Sequence, residues 1–343
     1  MIKIGIAGLG KMGKLHYMNA IKNENVDVVA VADLKKRNLN IVEKSRIIKY
    51  SDYKEMINRE NLDAIIVSLP NFLKKESILY CAENDLAIFV DKPLCRNFKE
   101  ANEVVKKVKK KNLELMVGVN YRYFDCVEKV KKIIEDGSIG DVVLGTTELI
   151  MDGPFSHPLV PALVADWWFD KERSGGGALL DLGYHLLDLL QWMFGELDVE
   201  FSALKYRYNL DVEDAATIIL KSQDNVRCTL NVGWFSKMLF PNFNFRVNLH
   251  GTVGYVSTDN FTPKNLYLHA MKEGIKNFFR RLTLQELNYL SYTYYYSSFN
   301  KILNHFFSCI QNGLGSPVNL NDQLSVLKNI DDAYRIYGVV INE

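Results

Sequence analysis

Three glycines follow Ser174 in the stretch "SGGGALLDLGYHLLDLLQWMFG" (Ser174–Gly195), and its leucines then cover most of a helical circumference. A helix apolar nearly all round is expected to be buried. Asp181, His185, Asp188 and Trp192 nevertheless recur at i, i+4, i+7 and i+11, which sets them on one stripe. An imidazole can take or give a proton near neutral pH, and a carboxylate one turn away can orient a hydroxyl or stabilise the imidazolium. Burying such groups costs several kcal/mol unless they are partnered. The stripe therefore faces internal partners or a cleft, and taken alone an Asp-x-x-x-His pair is more often an internally satisfied one.

Two further segments carry chemistry. In "VDKPL" (Val90–Leu94) a lysine closes an apolar run and a proline follows it. Its ammonium could stabilise a developing oxyanion, or it could form a strand-end salt bridge with Asp91 or another acid. In "GLGKMG", Gly8, Gly10 and Gly13 have the G-x-G-x-x-G spacing, and Asp33 lies 20 residues after Gly13. That pattern is weak in isolation. Here it follows a strand, opens a helix and precedes a strand that ends in an acid. Those are the conditions for cradling a dinucleotide pyrophosphate and hydrogen-bonding the ribose. Asp33 disfavours the extra phosphate of NADP, while Lys35, Lys36 and Arg37 offset that repulsion.

The elements that must hold these residues follow from apolar runs. Strands read over 2–8, 26–33, 63–70, 86–93 and 113–120, with helices near 12–23, 36–45, 73–84 and 97–111. Nearly continuous apolar strands alternating with helices predict a parallel sheet covered on both faces, a doubly wound α/β unit. "SLPNF" (Ser68–Phe72) and "VDKPL" then fall at carboxyl ends of strands, where such sheets bind ligands. Later, 141–150, 196–208, 214–221, 225–235, 243–250 and 253–258 read as strands of an open sheet.

The 343 residues, 48% hydrophobic and 24% charged, suit a globular protein of two domains or one large one. A balance of 42 basic against 41 acidic residues argues against a nucleic-acid partner. The run "VVKKVKKKN" (Val104–Asn112) reads as the solvated face of a helix. Five scattered cysteines suit a reducing cytoplasm and no metal site. "MIKIGIAGLG" lacks the features of a signal peptide, and no run of about 20 apolar residues suggests a membrane span.

These segments, in this order and over nearly the whole chain, resemble the glucose–fructose oxidoreductase and inositol dehydrogenase (Gfo/Idh/MocA) family. The resemblance rests on "GLGKMGKLH" (Gly8–His16), "VADLKKR" (Val31–Arg37), "SLPN" from Ser68, "DKPL" from Asp91, "VGVNYRY" (Val117–Tyr123) and "GGGALLDLGYHLLDLL" (Gly175–Leu190). It implies a Rossmann domain over 1–120 and, over 121–343, an α/β domain with a large, mostly antiparallel sheet. The second domain would bind substrate and build a homodimer or homotetramer through its sheet, and the C-terminal helix would be able to pack back on the first. It implies NAD as cofactor, with NADP as the alternative. Gly8, Gly10, Lys11, Met12, Gly13, Asp33, Arg37, Ser68, Leu69, Pro70, Asn71, Asp91 and Lys92 would bind it.

By the same resemblance Lys92, Asp181 and His185 are catalytic, and the polar stripe lines the cleft where substrate meets nicotinamide. Lys92, Asn120, Arg122, Tyr123, Trp168, Asp181 and His185 would contact a small carbohydrate: a sugar, polyol or nucleotide-linked sugar. The implied activity is hydride transfer at a carbinol or carbonyl carbon. The alternatives are a non-catalytic NAD(P)-binding sugar sensor or regulator, and reduction of an imine or enone. Three positions depart from the family pattern: Lys74 replaces a histidine, Trp168 an arginine and Asp91 a glutamate. The glycine run is read as letting the chain pass close to substrate. The aromatic stretch 276–310 fits the pattern less well. Its tyrosines could stack on sugar rings and its basic amphipathic start could touch a membrane or a partner subunit, but packing of a helix pair is the simplest reading.

Overall fold

The computed structural model describes residues 1–343 apart from 43–45, 152, 154–164, 236–243, 263–265, 284–292 and 343. The end of the helix expected over 36–45, the first residue of the strand expected over 243–250, and 284–292 of the aromatic stretch lie outside the described residues. Two compact units are formed. The first comprises Met1–Val119, Glu172–Gly175 and Asn300–Leu327, the second Asn120–Lys171, Gly176–Phe299 and Lys328–Glu343.

In the first unit β1 (Ile2–Ala7), β2 (Val26–Ala32), β3 (Ile48–Tyr50), β4 (Ala64–Val67), β5 (Ala87–Asp91) and β6 (Leu115–Gly118) form one sheet, ordered β3-β2-β1-β4-β5-β6. Every pairing in it is parallel. Ile4, Ile6, Ile65, Ile66, Ile88 and Phe89 are wholly buried, as strands covered on both faces require. The strand order reverses between β1 and β4, so their carboxyl ends flank the crevice at which doubly wound sheets bind ligands. The helix Phe98–Lys110 buries Ala101, Val104, Val105 and Val108, and its N-terminus is capped by Asn97. The lysine run therefore is a largely solvated helix face.

Two elements of this unit exceed the sequence expectation. β3 is only three residues long, too short for a periodic signal. The helix Tyr53–Arg59 carries a readable start, since Asp52 accepts from the Lys54 N–H and Glu55 stands in the first turn.

In the second unit β7 (Val142–Ile150), β8 (Leu197–Lys205), β9 (Ala215–Ser222), β10 (Arg227–Gly233), β11 (Phe245–Gly251) and β12 (Tyr255–Ser257) are ordered β12-β11-β7-β10-β9-β8. β7 and β10 pair in parallel and the other neighbours pair antiparallel, so the sheet is mixed. Alternation along β9, where Ala216, Ile218 and Leu220 are buried, gives the sheet one covered face. The helix Tyr184–Phe194 packs on β7 and β8. Further helices span Leu266–Leu282, Thr293–Asn312 and Leu320–Asn342. Among the described residues no helix is long and apolar enough to cross a membrane.

Candidate active site

In the first unit β1 runs into the glycine loop, and the helix Lys11–Ala20 starts directly after Gly10. Gly8 has φ +90°, and a Cβ on Gly13 would fall 1.8 Å from the Gly8 carbonyl oxygen. Only glycine at both positions lets the helix start this close to the strand. A Cβ on Gly10 would meet nothing within 4 Å, so the loop is open on that side. Asp33 Oδ2 accepts from the Leu9 N–H at 2.7 Å, and Oδ1 accepts from the Lys35 N–H at 2.7 Å. The acid is thus tied to the glycine loop itself. An open glycine turn at a helix start, with a fixed carboxylate beside it, fits the pyrophosphate and ribose of a dinucleotide. Lys11 and Arg37 are exposed, Met12 is half-buried, and Ser68, Leu69 and Pro70 follow β4. Asn71 is buried, and its side-chain amide donates to the Ser174 carbonyl at 2.8 Å.

Lys92 follows β5, and its bond to Pro93 is cis. What sequence reasoning missed is how that strand end is held. Lys74 Nζ, on a side chain 2% exposed, donates to the Asp91 carbonyl at 2.7 Å and to the Pro93 carbonyl at 2.9 Å. One buried ammonium thereby holds the backbone on both sides of Lys92. Lys74 is thus a buried donor at this strand end. His16, wholly buried on the glycine-loop helix, donates from Nε2 to Asp91 Oδ1 at 2.7 Å and meets Phe89 edge-on. Burial pushes the Asp91 carboxyl up, but His16 and the Lys74 ammonium outweigh it and hold the pKa below the usual carboxylate value.

In the second unit Gly176 and Gly177 lead into a π-helical turn, Leu179–Gly183, before the α-helix Tyr184–Phe194. Asp181 sits in that wide turn, a feature that often marks functional positions. Its Oδ2 accepts from the indole N–H of the buried Trp234 at 3.1 Å. His185 is 5% exposed and lies on the Tyr121 ring, with centroids 4.0 Å apart and planes at 28°. Tyr121 is itself backed edge-on by Phe245.

Farther along the stripe Asp188 accepts from Arg122 Nε at 2.8 Å and Nη2 at 2.7 Å, and this bidentate pair is buried. The Arg122 guanidinium also lies over the Trp192 ring. The stripe that looked uniform in sequence thus divides. Asp188 has an internal partner, while Asp181 stays partly exposed. Of the expected substrate contacts, Arg122 and Asn120 lie inside, Asn120 donating to Ser298 Oγ at 2.9 Å. Tyr123 and Trp168 are half-buried, and Trp168 stacks on Trp167.

The start of this helix is held by Glu213. Its carboxylate accepts from the Gly177 N–H at 3.0 Å, the Leu179 N–H at 2.9 Å and the Tyr334 hydroxyl at 2.8 Å. A Cβ on Gly177 would fall 1.9 Å from the Glu213 carbonyl oxygen. The glycine at 177 is thus required by the close approach of protein backbone. Burial pushes the Glu213 carboxyl up, against the pull of the Leu179 N–H and the Tyr334 hydroxyl. Burial and that carboxylate push the Tyr334 hydroxyl up as well.

A parallel sheet whose first strand passes through three glycines into a helix, with an acid closing the second strand, is the frame of an NAD-binding domain. Residues 2–119 match the family described as "Oxidoreductase family, NAD-binding Rossmann fold", and residues 127–257 match the GFO/IDH/MocA C-terminal domain. The chain belongs to the Gfo/Idh/MocA oxidoreductase family. It is 27% identical to the myo-inositol 2-dehydrogenase of Thermotoga maritima over 277 residues, 78% of each chain. It is 24% identical to the inositol 2-dehydrogenase of Rhizobium meliloti over 340 residues, covering 97% of this chain and 96% of that one. Its fold is that of scyllo-inositol dehydrogenase from Lactobacillus casei, solved with bound NAD(H) and scyllo-inositol. That likeness has a TM-score of 0.80 at 19% identity over 98% of this chain and 97% of the other.

Proposed function

We propose that the chain is a dehydrogenase that moves a hydride between nicotinamide and a carbinol or carbonyl carbon of a sugar, polyol or nucleotide-linked sugar. NAD, when bound, supplies the hydride acceptor. Gly8, Gly10 and Gly13 carry the pyrophosphate and Asp33 the ribose, and the carboxylate of Asp33 favours NAD over NADP. His185 accepts the hydroxyl proton in oxidation and returns it in reduction. With water at about 15.7 standing in for an alcohol and histidine at about 6.5, a free alkoxide lies roughly 12–13 kcal/mol uphill. The proton must therefore leave as the hydride does, with a cation to stabilise the oxygen, and Lys92 is that cation.

Asp181, fixed by Trp234, orients the hydroxyl and favours the imidazolium. Stacking on Tyr121 sets the His185 ring plane. We assign Tyr123 and Trp168 to substrate contact and Arg122 to holding the helix through Asp188. The subunit contact is assigned to the open face of the second sheet, where Leu144 and Phe201 stand exposed.

The observation that carries this reading is the His16–Asp91 hydrogen bond, which joins the nucleotide-loop helix to the strand end that presents Lys92. A sensor of the same fold would need none of Lys92, Asp181 and His185, and all three are present. Calorimetric titration with NAD and NADP, followed by a panel of inositols, sugars and nucleotide sugars read by NADH absorbance, tests the proposal. The expected result is tighter NAD binding and substrate-dependent reduction by at least one polyol or sugar. Tight NAD binding with no turnover on the whole panel would favour the sensor.

A further inference from the structure

The helix Leu266–Leu282 turns its apolar side to solvent. Met271, Ile275, Phe278, Phe279 and Leu282 are each between 56% and 67% exposed. At 100° per residue these five fall within one sector of about 100°. Among the helix's described side chains, the buried ones are polar: Glu273 and Asn277. Glu273 pairs with Lys276 at 2.6 Å and Arg280 at 3.2 Å, and Arg280 also bonds Asn277 at 3.1 Å. The apolar sector is flanked by cations. Lys272 and Lys276 border one side and Arg281 the other, and all three are exposed. A hollow beside it is lined by Lys276, Phe279, Arg280 and Thr283.

We propose that this helix is a peripheral anchor that lies in the surface of an anionic lipid membrane. Five large apolar side chains on one face, with basic residues at its borders, match an in-plane interfacial helix: rings and aliphatic chains enter the acyl boundary while the cations meet lipid phosphates. The charge pattern selects this occupant over a second copy of the chain. Two such helices packed apolar face to apolar face would bring Lys272, Lys276 and Arg281 of each against those of the other, a like-charge juxtaposition. Exposed apolar sectors of this size on a globular protein mark interaction sites.

Flotation of the full-length protein with phosphatidylcholine vesicles, with and without phosphatidylglycerol, tests it. The protein should float with the anionic vesicles and much less with the neutral ones, and added salt should release it. Phe278→Ser/Phe279→Ser should abolish flotation, and Lys272→Glu should weaken it by about fivefold or more. NAD binding should be unchanged in both variants, because both sites are exposed. Absence of flotation, or flotation unaffected by these substitutions, would overturn the proposal. Self-association in solution that Phe278→Ser/Phe279→Ser removes, without vesicle binding, would overturn it too and make the stripe a contact between copies.

Discussion

The two units hold the residues proposed to carry the chemistry with buried charges of opposite sign. In the Rossmann unit a cation, Lys74, grips the carbonyls of Asp91 and Pro93 and fixes the backbone that presents Lys92. In the second unit an anion, Glu213, grips the N–H groups of Gly177 and Leu179 and fixes the helix start that presents Asp181 and His185. The difference follows from backbone chemistry. A strand end at the edge of a crevice leaves carbonyls to satisfy, and a helix start leaves N–H groups. Each unit therefore recruits the charge that its unpaired backbone groups demand, and the neighbouring side chain to which we assign chemistry is positioned as a consequence.

Breaking the anionic anchor should have the largest effect on folding. Glu213→Ala leaves two N–H groups and the Tyr334 hydroxyl buried without their acceptor, at about 1–3 kcal/mol each. A loss of several kcal/mol should appear in denaturant unfolding, and a loss near zero would show that the carboxylate does not hold the helix start. Glu213→Gln should cost less and change the pH dependence. A carboxyl raised by folding stabilises fully below the ordinary glutamate pKa, and that contribution is lost as pH rises through the raised value. The stability gap between the parent and Glu213→Gln should accordingly be widest in acid and narrow as pH rises. A gap that widens with pH would mean that the N–H donors overcome burial.

Breaking the cationic anchor should show in catalysis. Lys74→Met should lower kcat by up to about 10²-fold, the scale of a misplaced reacting group, with NAD affinity little changed. Lys74→His, which restores a donor, should recover part of that loss. Equal loss in both variants would reduce Lys74 to packing.

The smallest expected effect is at Asp91. Its carboxyl is lowered by folding, so its contribution is complete above the ordinary aspartate pKa and is lost as pH falls toward the lowered value. The stability gap between the parent and Asp91→Asn should close in acid, and a gap independent of pH would remove the His16–Asp91 pairing from the account.

The strands of both sheets were legible because apolar runs and alternation report burial directly. Among the described residues, five of the six Rossmann strands and all six of the second sheet lie where those patterns stand, and only the three-residue β3 was too short to register. The glycine loop and Asp33 were legible because they act through local spacing. The anchors were not. Lys74 lies 17 residues from Asp91, His16 lies 75 from it, and Glu213 lies 36 from Gly177. None of these separations leaves a periodic trace.

The stripe on the Ser174–Gly195 helix shows the same limit from another side. Its spacing revealed four polar residues on one face, but not that Arg122 closes it at Asp188, nor that a π-turn carries Asp181. Those facts depend on partners that only the fold supplies.

What we propose above all is that Lys92 and His185 serve one hydride transfer. A double-mutant cycle of Lys92→Ala and His185→Ala, measured as single-turnover NADH formation with saturating NAD, tests it most directly. Each single variant should lose about 10²–10⁴-fold in rate while still binding NAD, and the double variant should lose little more than the worse single one. Near-parental rates in either single variant, or losses that simply multiply in the double, would contradict it.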